Sequence, residues 1–119
     1  MDNTTGRVLI VEDEEDILTA WRTALEQKGY VVDTADSADD ALTVLNEKTI
    51  DLVLTDIVMP GKDGIELTSL IKKQYPQVKV LAITGGGKLG YPEELLDRAM
   101  DHGADFVLAK PLRLSDLLG

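Results

Sequence analysis

Short apolar runs alternate along the chain with segments whose apolar residues recur at helical spacing. The runs are rich in Val, Ile and Leu, and they predict five strands, at 7–11, 30–35, 50–56, 78–84 and 106–109. The helical spacing predicts five helices, at 14–28, 38–48, 65–75, 92–102 and 114–118. Short loops join the elements, and this alternation is typical of an α/β fold, a doubly wound parallel sheet with helices on both faces.

Two local patterns refine the predicted helices. Ser37, with Asp40 three residues later, is a predicted N-cap for the second helix. The first helix is expected to bury one apolar face, made of Ile17, Ala20, Trp21, Ala24 and Leu25. Leu18 lies off this face, and we interpret it either as an exposed apolar residue or as part of a docking surface.

The composition narrows the class of protein. A chain of 119 residues suits one domain, and we expect a disordered polar tail at 1–6 before a domain at 7–119. The absence of Cys excludes disulfides and thiolate metal sites. A net charge of −10 argues against nucleic acid as a partner, because nucleic-acid affinity depends on a basic patch. No apolar run spans a bilayer and no signal-peptide core precedes the domain, so we predict a cytoplasmic protein without a membrane partner.

Polar side chains stand at the ends of four predicted strands. Glu12 and Asp13 follow the first, Asp56 ends the third, Thr84 ends the fourth and Lys110 follows the fifth. Parallel strands place their carboxyl ends at one edge of the sheet, where ligands bind. Three carboxylates there repel one another, and Mg²⁺, which prefers oxygen ligands, offsets that repulsion. Together with a hydroxyl and an ammonium, they predict a phosphoryl-transfer site in which Asp56 is the nucleophile.

Several segments carry a family resemblance. They are 8–13 (VLIVED), 51–64 (DLVLTDIVMPGKDG), Thr84, 103–105 (GAD) and Lys110-Pro111. In this order and spacing they resemble the receiver domain of a bacterial two-component response regulator, from about Arg7 to Leu118. The resemblance implies a flavodoxin-like sheet of five parallel strands in the order 2-1-3-4-5. It also implies a signalling switch that catalyses its own phosphorylation and dephosphorylation, rather than an enzyme with a separate substrate.

The resemblance assigns a role to each residue that would touch the phosphoryl group. Asp56 would accept it from a phosphohistidine on a sensor histidine kinase or a histidine phosphotransfer protein. Thr84 would donate a hydrogen bond to a phosphoryl oxygen, and Lys110 would pair with the phosphoryl group through its ammonium.

The resemblance also implies Mg²⁺ as the cofactor. Asp13 and Asp56 would bind the ion directly, and the backbone carbonyl of Val58 would be a third protein ligand. Glu12 would bind the ion directly or through a water molecule.

The segment before Lys110 departs from the family pattern. The family usually has an aromatic residue three positions before the lysine, but Val107 occupies that position here. The neighbouring Phe106 is expected to point to the opposite side of its strand. We therefore expect an absent or altered aromatic switch. The implied partners are a downstream protein or a fused output domain, with homodimerisation as a further option, and the short last helix favours a domain excised from a longer protein.

Two alternative functions stay open from the sequence. A haloacid-type aspartyl-phosphate hydrolase would also use an aspartate nucleophile, but that class needs a second acid two residues later, where Val58 stands. A receiver that is never phosphorylated and serves only in assembly is the other alternative. The retention of Glu12, Asp13, Asp56 and Lys110 argues against it.

Overall fold

The computed structural model describes residues 6–56, 64–84, 100 and 103–109. Within them, five strands and three helices follow the predicted order. Their bounds are β1 (Arg7–Val11), α1 (Glu15–Gln27), β2 (Val31–Ala35), α2 (Ala38–Glu47), β3 (Leu52–Asp56), α3 (Gly64–Gln74), β4 (Lys79–Thr84) and β5 (Phe106–Ala109). Met100 is also helical, whereas the rest of the predicted fourth helix and the whole of the fifth lie outside the described residues. No helix in the described ranges is both long and apolar enough to cross a membrane.

The five strands form one parallel sheet in the order β2-β1-β3-β4-β5. This confirms the predicted order 2-1-3-4-5. β3 is the central strand, and its register places Thr55 beside Val11 of β1 and Asp56 beside Ile83 of β4. Because all the strands are parallel, their carboxyl ends lie at one edge, and Asp56 ends the strand in the middle of that edge.

The apolar side chains of the strands alternate between the two faces of the sheet. The face that packs on α1 is made of Val8, Ile10, Leu54, Leu81 and Ile83. The face that packs on α2 and α3 is made of Leu9, Val11, Val53 and Val80. Helices therefore cover both faces of the sheet, as predicted.

The buried face of α1 is rotated relative to the predicted one. Trp21 and Leu25 are buried, but Ala20 is exposed. Leu18 is half-buried and packs into the core on this side of the sheet. With 3.6 residues per turn, Leu18 lies about 60° from Trp21 around the helix axis, whereas Ala20 lies about 100° away. The predictions that Ala20 is buried and that Leu18 lies off the buried face were therefore wrong, because the buried face is centred on Trp21.

The two neighbouring residues that begin β5 point to opposite sides, as predicted. Phe106 is 55% exposed. Val107 is half-buried and packs against a small cluster formed by Ile65, Ala82 and Ala104. Val107, at the position where the family usually has an aromatic residue, therefore lies on the packed side of β5.

The hydrogen bonding of the sheet begins one residue before the predicted domain boundary. The Gly6 carbonyl accepts from the Val31 N–H at 3.0 Å. The Arg7 N–H donates to the Asp51 carboxylate at 2.8 Å. Residues 1–5 of the predicted tail lie outside the described residues.

Ser37 caps α2 in the predicted way, since its hydroxyl accepts from the Asp40 N–H at 3.1 Å. We expect Ser37→Ala to lower the free energy of unfolding by about 1 kcal/mol, because this N–H loses its partner at the helix start. Urea unfolding measures the change. Ser37→Asn retains an acceptor and should stay close to the wild type, so an equal loss in both variants would contradict the capping role.

Candidate functional site

The turn after β1 and the end of β3 bring three carboxylates together. Glu12, Asp13 and Asp56 each offer one oxygen, and these oxygens all lie within 4.8 Å of one another. The register of the two strands accounts for this closeness. Val11 of β1 lies beside Thr55 of β3, and the next residues along these strands are Glu12 and Asp56. Two neighbouring parallel strands thus deliver their acidic ends to the same place.

The three carboxylates differ in exposure. Glu12 is fully buried and Asp56 is 4% exposed, whereas Asp13 is exposed. A carboxylate oxygen of Glu12 accepts from the Glu14 N–H at 3.1 Å, and the Glu12 N–H donates to the Ala35 carbonyl of β2, also at 3.1 Å. These bonds hold the turn between β1 and α1 in place and keep Glu12 at the carboxyl edge of the sheet.

The group of carboxylates is suited to a hard cation. Two buried carboxylates beside a third are costly to desolvate and repel one another unless positive charge approaches them. All three donors are carboxylate oxygens, the ligand type that Mg²⁺ and Ca²⁺ prefer. The group of Glu12, Asp13 and Asp56 can therefore hold a divalent metal ion.

Of the other predicted site residues, the structure describes Thr84 but not Val58 or Lys110. Thr84 is the last residue of β4, and its backbone pairs with Ala109 of β5. Its backbone therefore lies at the same edge as Asp56, on the adjacent strand. Lys110 follows Ala109 directly, but Lys110 and Val58 both lie outside the described residues, and their roles stay predictions.

Two polar contacts in the structure were not predicted from the sequence. Thr55 is completely buried, and its hydroxyl donates to the backbone carbonyl of Asp56 at 3.0 Å. Lys72 of α3 pairs with Asp105 at 3.0 Å, at the opposite edge of the sheet. A hydroxyl inside the apolar run of β3 is a signal that could have pointed to Thr55. The second contact joins residues 33 positions apart, and no local pattern marks it.

The sequence of this chain is similar to those of known proteins. A family model described as the response regulator receiver domain matches residues 8–119. The response regulator receiver protein CpdR of Brucella abortus is 38% identical over 113 residues, which are 94% of this chain and 90% of CpdR. The response regulator protein FleR of Pseudomonas aeruginosa is also 38% identical over 113 residues, which are 95% of this chain but only 23% of FleR. The chain thus spans most of one relative and about a quarter of the other.

The fold is shared as well. A response regulator protein from Burkholderia pseudomallei, solved with a phosphorylated aspartic acid, a calcium ion and citrate, matches with a TM-score of 0.84 at 25% identity. The match covers 95% of this chain and 64% of that one. Receiver domains are signalling switches whose standard function is phosphorylation on aspartate. With its sheet order and a family match over nearly its whole length, this chain belongs to the receiver domains of two-component response regulators.

Proposed function

We propose that Asp56 is the aspartate that accepts the phosphoryl group, from a phosphohistidine on a sensor histidine kinase or a histidine phosphotransfer protein. The observation that carries this proposal is the meeting of Asp56 with Glu12 and Asp13, with oxygens within 4.8 Å of one another. Asp56 is the member of the group that ends the central strand. A nucleophile on a rigid strand is held in one orientation, which lowers the entropic cost of attack on phosphorus.

The same carboxylates are proposed to hold Mg²⁺. Asp13 and Asp56 would be direct ligands, Glu12 a direct or water-mediated one, and the backbone carbonyl of Val58 a third protein ligand. The all-oxygen donor set fits this ion. When bound, Mg²⁺ neutralises negative charge on the phosphoryl oxygens and on the carboxylates that face them.

The proposed transfer is a single displacement at phosphorus. A carboxylate oxygen of Asp56 attacks phosphorus, the bond from phosphorus to the donor's imidazole nitrogen breaks, and the electron pair of that bond stays on the imidazole. The product on this chain is an acyl phosphate. Lys110 would pair with the phosphoryl oxygens, and Thr84 would donate a hydrogen bond to one of them. The added charge would then change the surface that partner proteins contact.

A relative supports this chemistry. The Burkholderia pseudomallei response regulator was solved with both a phosphorylated aspartic acid and a calcium ion. Calcium and magnesium are both hard cations that take oxygen ligands. By analogy, we assign the aspartyl phosphate of this chain to Asp56 and the ion to the adjacent carboxylates.

The proposed setting follows from the family. We propose residues 7–119 as the receiver domain, and the family match over 8–119 supports this boundary. The output would be a changed contact with a downstream protein, a fused output domain or a second copy, in the cytoplasm. FleR, of which this chain spans 23%, is a relative in which the matching segment belongs to a longer protein.

Intact mass spectrometry after incubation with acetyl phosphate and Mg²⁺ tests the proposal. We expect one phosphoryl group on the wild type and none on Asp56→Asn, because an amide oxygen is a poor nucleophile. The adduct should survive acid and be lost in base, as an acyl phosphate is. Asp51→Asn is the control, since Asp51 is an exposed aspartate that precedes the opposite end of β3.

Two results would contradict the assignment. One is an adduct that persists on Asp56→Asn, and the other is an adduct that forms equally well without Mg²⁺. If the wild type takes no phosphoryl group from acetyl phosphate, a beryllofluoride titration is the next step. It separates a receiver that needs a kinase as donor from one that cannot form the phosphorylated state.

A further inference from the structure

Thr55 precedes the proposed phosphoacceptor and places a hydroxyl in an apolar setting. It is completely buried on β3, beside Val11 of β1 and Ala82 of β4, which are also completely buried. Valine has nearly the same shape and no buried hydroxyl group to satisfy, so filling this space does not require threonine. The hydroxyl donates to the Asp56 backbone carbonyl at 3.0 Å, and that bond is the feature that valine would lack.

The bond acts on the last peptide group of β3. A peptide group is planar, so a fixed direction of the Asp56 carbonyl restricts the backbone rotation ψ of Asp56. The rotamers open to a side chain depend on φ and ψ of its own residue, so this restriction also limits the directions that the Asp56 carboxylate can take. On the β1 side, the pairing of the two strands ends with Val11 and Thr55. Asp56 therefore lies one residue beyond the last β1 pair, and the Thr55 hydroxyl constrains its backbone at that point.

We propose that Thr55 is a positioning residue: its hydroxyl orients the Asp56 backbone and so sets where the Asp56 carboxylate lies relative to Glu12 and Asp13. This inference rests on the proposed function of the three carboxylates. Groups that orient a metal ligand typically contribute about 10- to 100-fold to metal affinity. The effect of Thr55 is transmitted through the backbone of Asp56, so we expect it at the lower end of this range.

A Mg²⁺ titration followed by amide NMR spectra measures the dissociation constant without any phosphorylation. We expect Thr55→Val to raise this constant about tenfold, because the carbonyl loses its donor. Thr55→Ser retains the hydroxyl and should stay within about twofold of the wild type. Thr68→Val is the matched control, since Thr68 is also completely buried and its hydroxyl donates to the Gly64 carbonyl at 2.7 Å within α3.

The comparison of variants decides the role of the hydroxyl. An unchanged constant for Thr55→Val overturns the inference, and so does an equal rise in Thr55→Ser or in Thr68→Val. If urea unfolding shows that Thr55→Val does not fold, Thr55→Ala replaces it, because alanine also lacks the hydroxyl.

The wild-type titration separates this inference from the proposed function. Absence of Mg²⁺ binding by the wild type would contradict both. Equal binding by the wild type and Thr55→Val would contradict only the role of Thr55 and leave the carboxylate site standing.

Discussion

Asp13→Asn is expected to weaken Mg²⁺ binding by more than about tenfold and, without the ion, to stabilise the fold. Both effects have one cause, the charge that Asp13 adds to the group it forms with Glu12 and Asp56. Two unit charges about 4 Å apart repel by about 1 kcal/mol in water and by more where water is excluded. Because Asp13 is exposed, we expect a gain in the free energy of unfolding on the order of 1 kcal/mol.

Urea unfolding with and without Mg²⁺ measures both effects. Without the ion, Asp13→Asn should unfold at a higher urea concentration than the wild type. An ion that binds only the folded state stabilises it by about 2.7 kcal/mol at a hundredfold excess over the dissociation constant. Because the wild type binds Mg²⁺ more tightly, it should unfold at a higher urea concentration than Asp13→Asn when Mg²⁺ is saturating.

Asp16→Asn is the control for the change of charge. Asp16 is an exposed aspartate in the first turn of α1, and it is not a member of the carboxylate group. Its substitution should leave the stabilisation by Mg²⁺ intact. Equal stabilisation of the wild type and Asp13→Asn by Mg²⁺ would contradict the role of Asp13 as a ligand.

The strands were predictable because a buried parallel strand requires a continuous apolar run. The runs at 7–11 and 106–109 match β1 and β5 at both ends. The alternation of strands and helices also predicts a parallel sheet, but it does not determine which strands are neighbours. The order with β3 at the centre was available only from the family resemblance, because neighbouring strands are set by contacts between distant parts of the chain.

The acidic part of the site was predictable for a related reason. Glu12, Asp13 and Asp56 follow apolar runs, and parallel strands place such ends together. The hydrogen bond from the Thr55 hydroxyl to the Asp56 carbonyl was not predictable, because the direction of a hydroxyl depends on the local backbone. The exposed side of α1 was also misjudged at Ala20, since helical spacing defines a stripe but the packing of Trp21 decides where its centre lies.

The contact between Lys72 and Asp105 connects α3 to the starts of β4 and β5. The Lys72 ammonium lies 3.0 Å from the Asp105 carboxylate and 2.9 Å from the Val78 carbonyl oxygen. The same carboxylate accepts from the Val80 N–H at 2.9 Å. The stem of Lys72 packs against the turn at Gly103, where φ is +104° and an added Cβ would lie 3.0 Å from the Lys72 Cγ. One ion pair therefore joins three elements at the edge opposite the carboxylate site.

Asp105→Asn is expected to lower the free energy of unfolding by about 2 kcal/mol at neutral pH. The amide can still accept from the Val80 N–H, but it leaves the ammonium of Lys72, whose side chain is 22% exposed, without the opposite charge. Burial by itself would raise the pKa of Asp105. The Val80 N–H and the Lys72 ammonium outweigh burial and hold the pKa below its ordinary value of 3.8.

The lowered pKa of Asp105 gives the sign of the pH dependence. The folded protein binds this proton less readily than the unfolded chain does, so Asp105 stabilises the fold above its ordinary pKa. That contribution is lost as the pH falls through the ordinary pKa towards the lower folded value. The difference in unfolding free energy between the wild type and Asp105→Asn should have its full size at pH 7 and should become smaller below about pH 4. Urea unfolding at a series of pH values measures it.

A double-mutant cycle tests whether the ion pair causes this difference. Lys72→Met keeps an apolar stem against Gly103 and removes the ammonium. The double variant should therefore lose about 1 kcal/mol less unfolding free energy than the sum of the losses in Lys72→Met and Asp105→Asn. Glu26→Gln is the control, because it breaks a pair with Arg22 whose atoms lie 3.9 Å apart and whose side chains are half exposed, and it should cost about 0.5 kcal/mol or less. Additive costs, or a difference that does not change with pH, would mean that Asp105 acts through its bond to Val80 and not through the charge of Lys72.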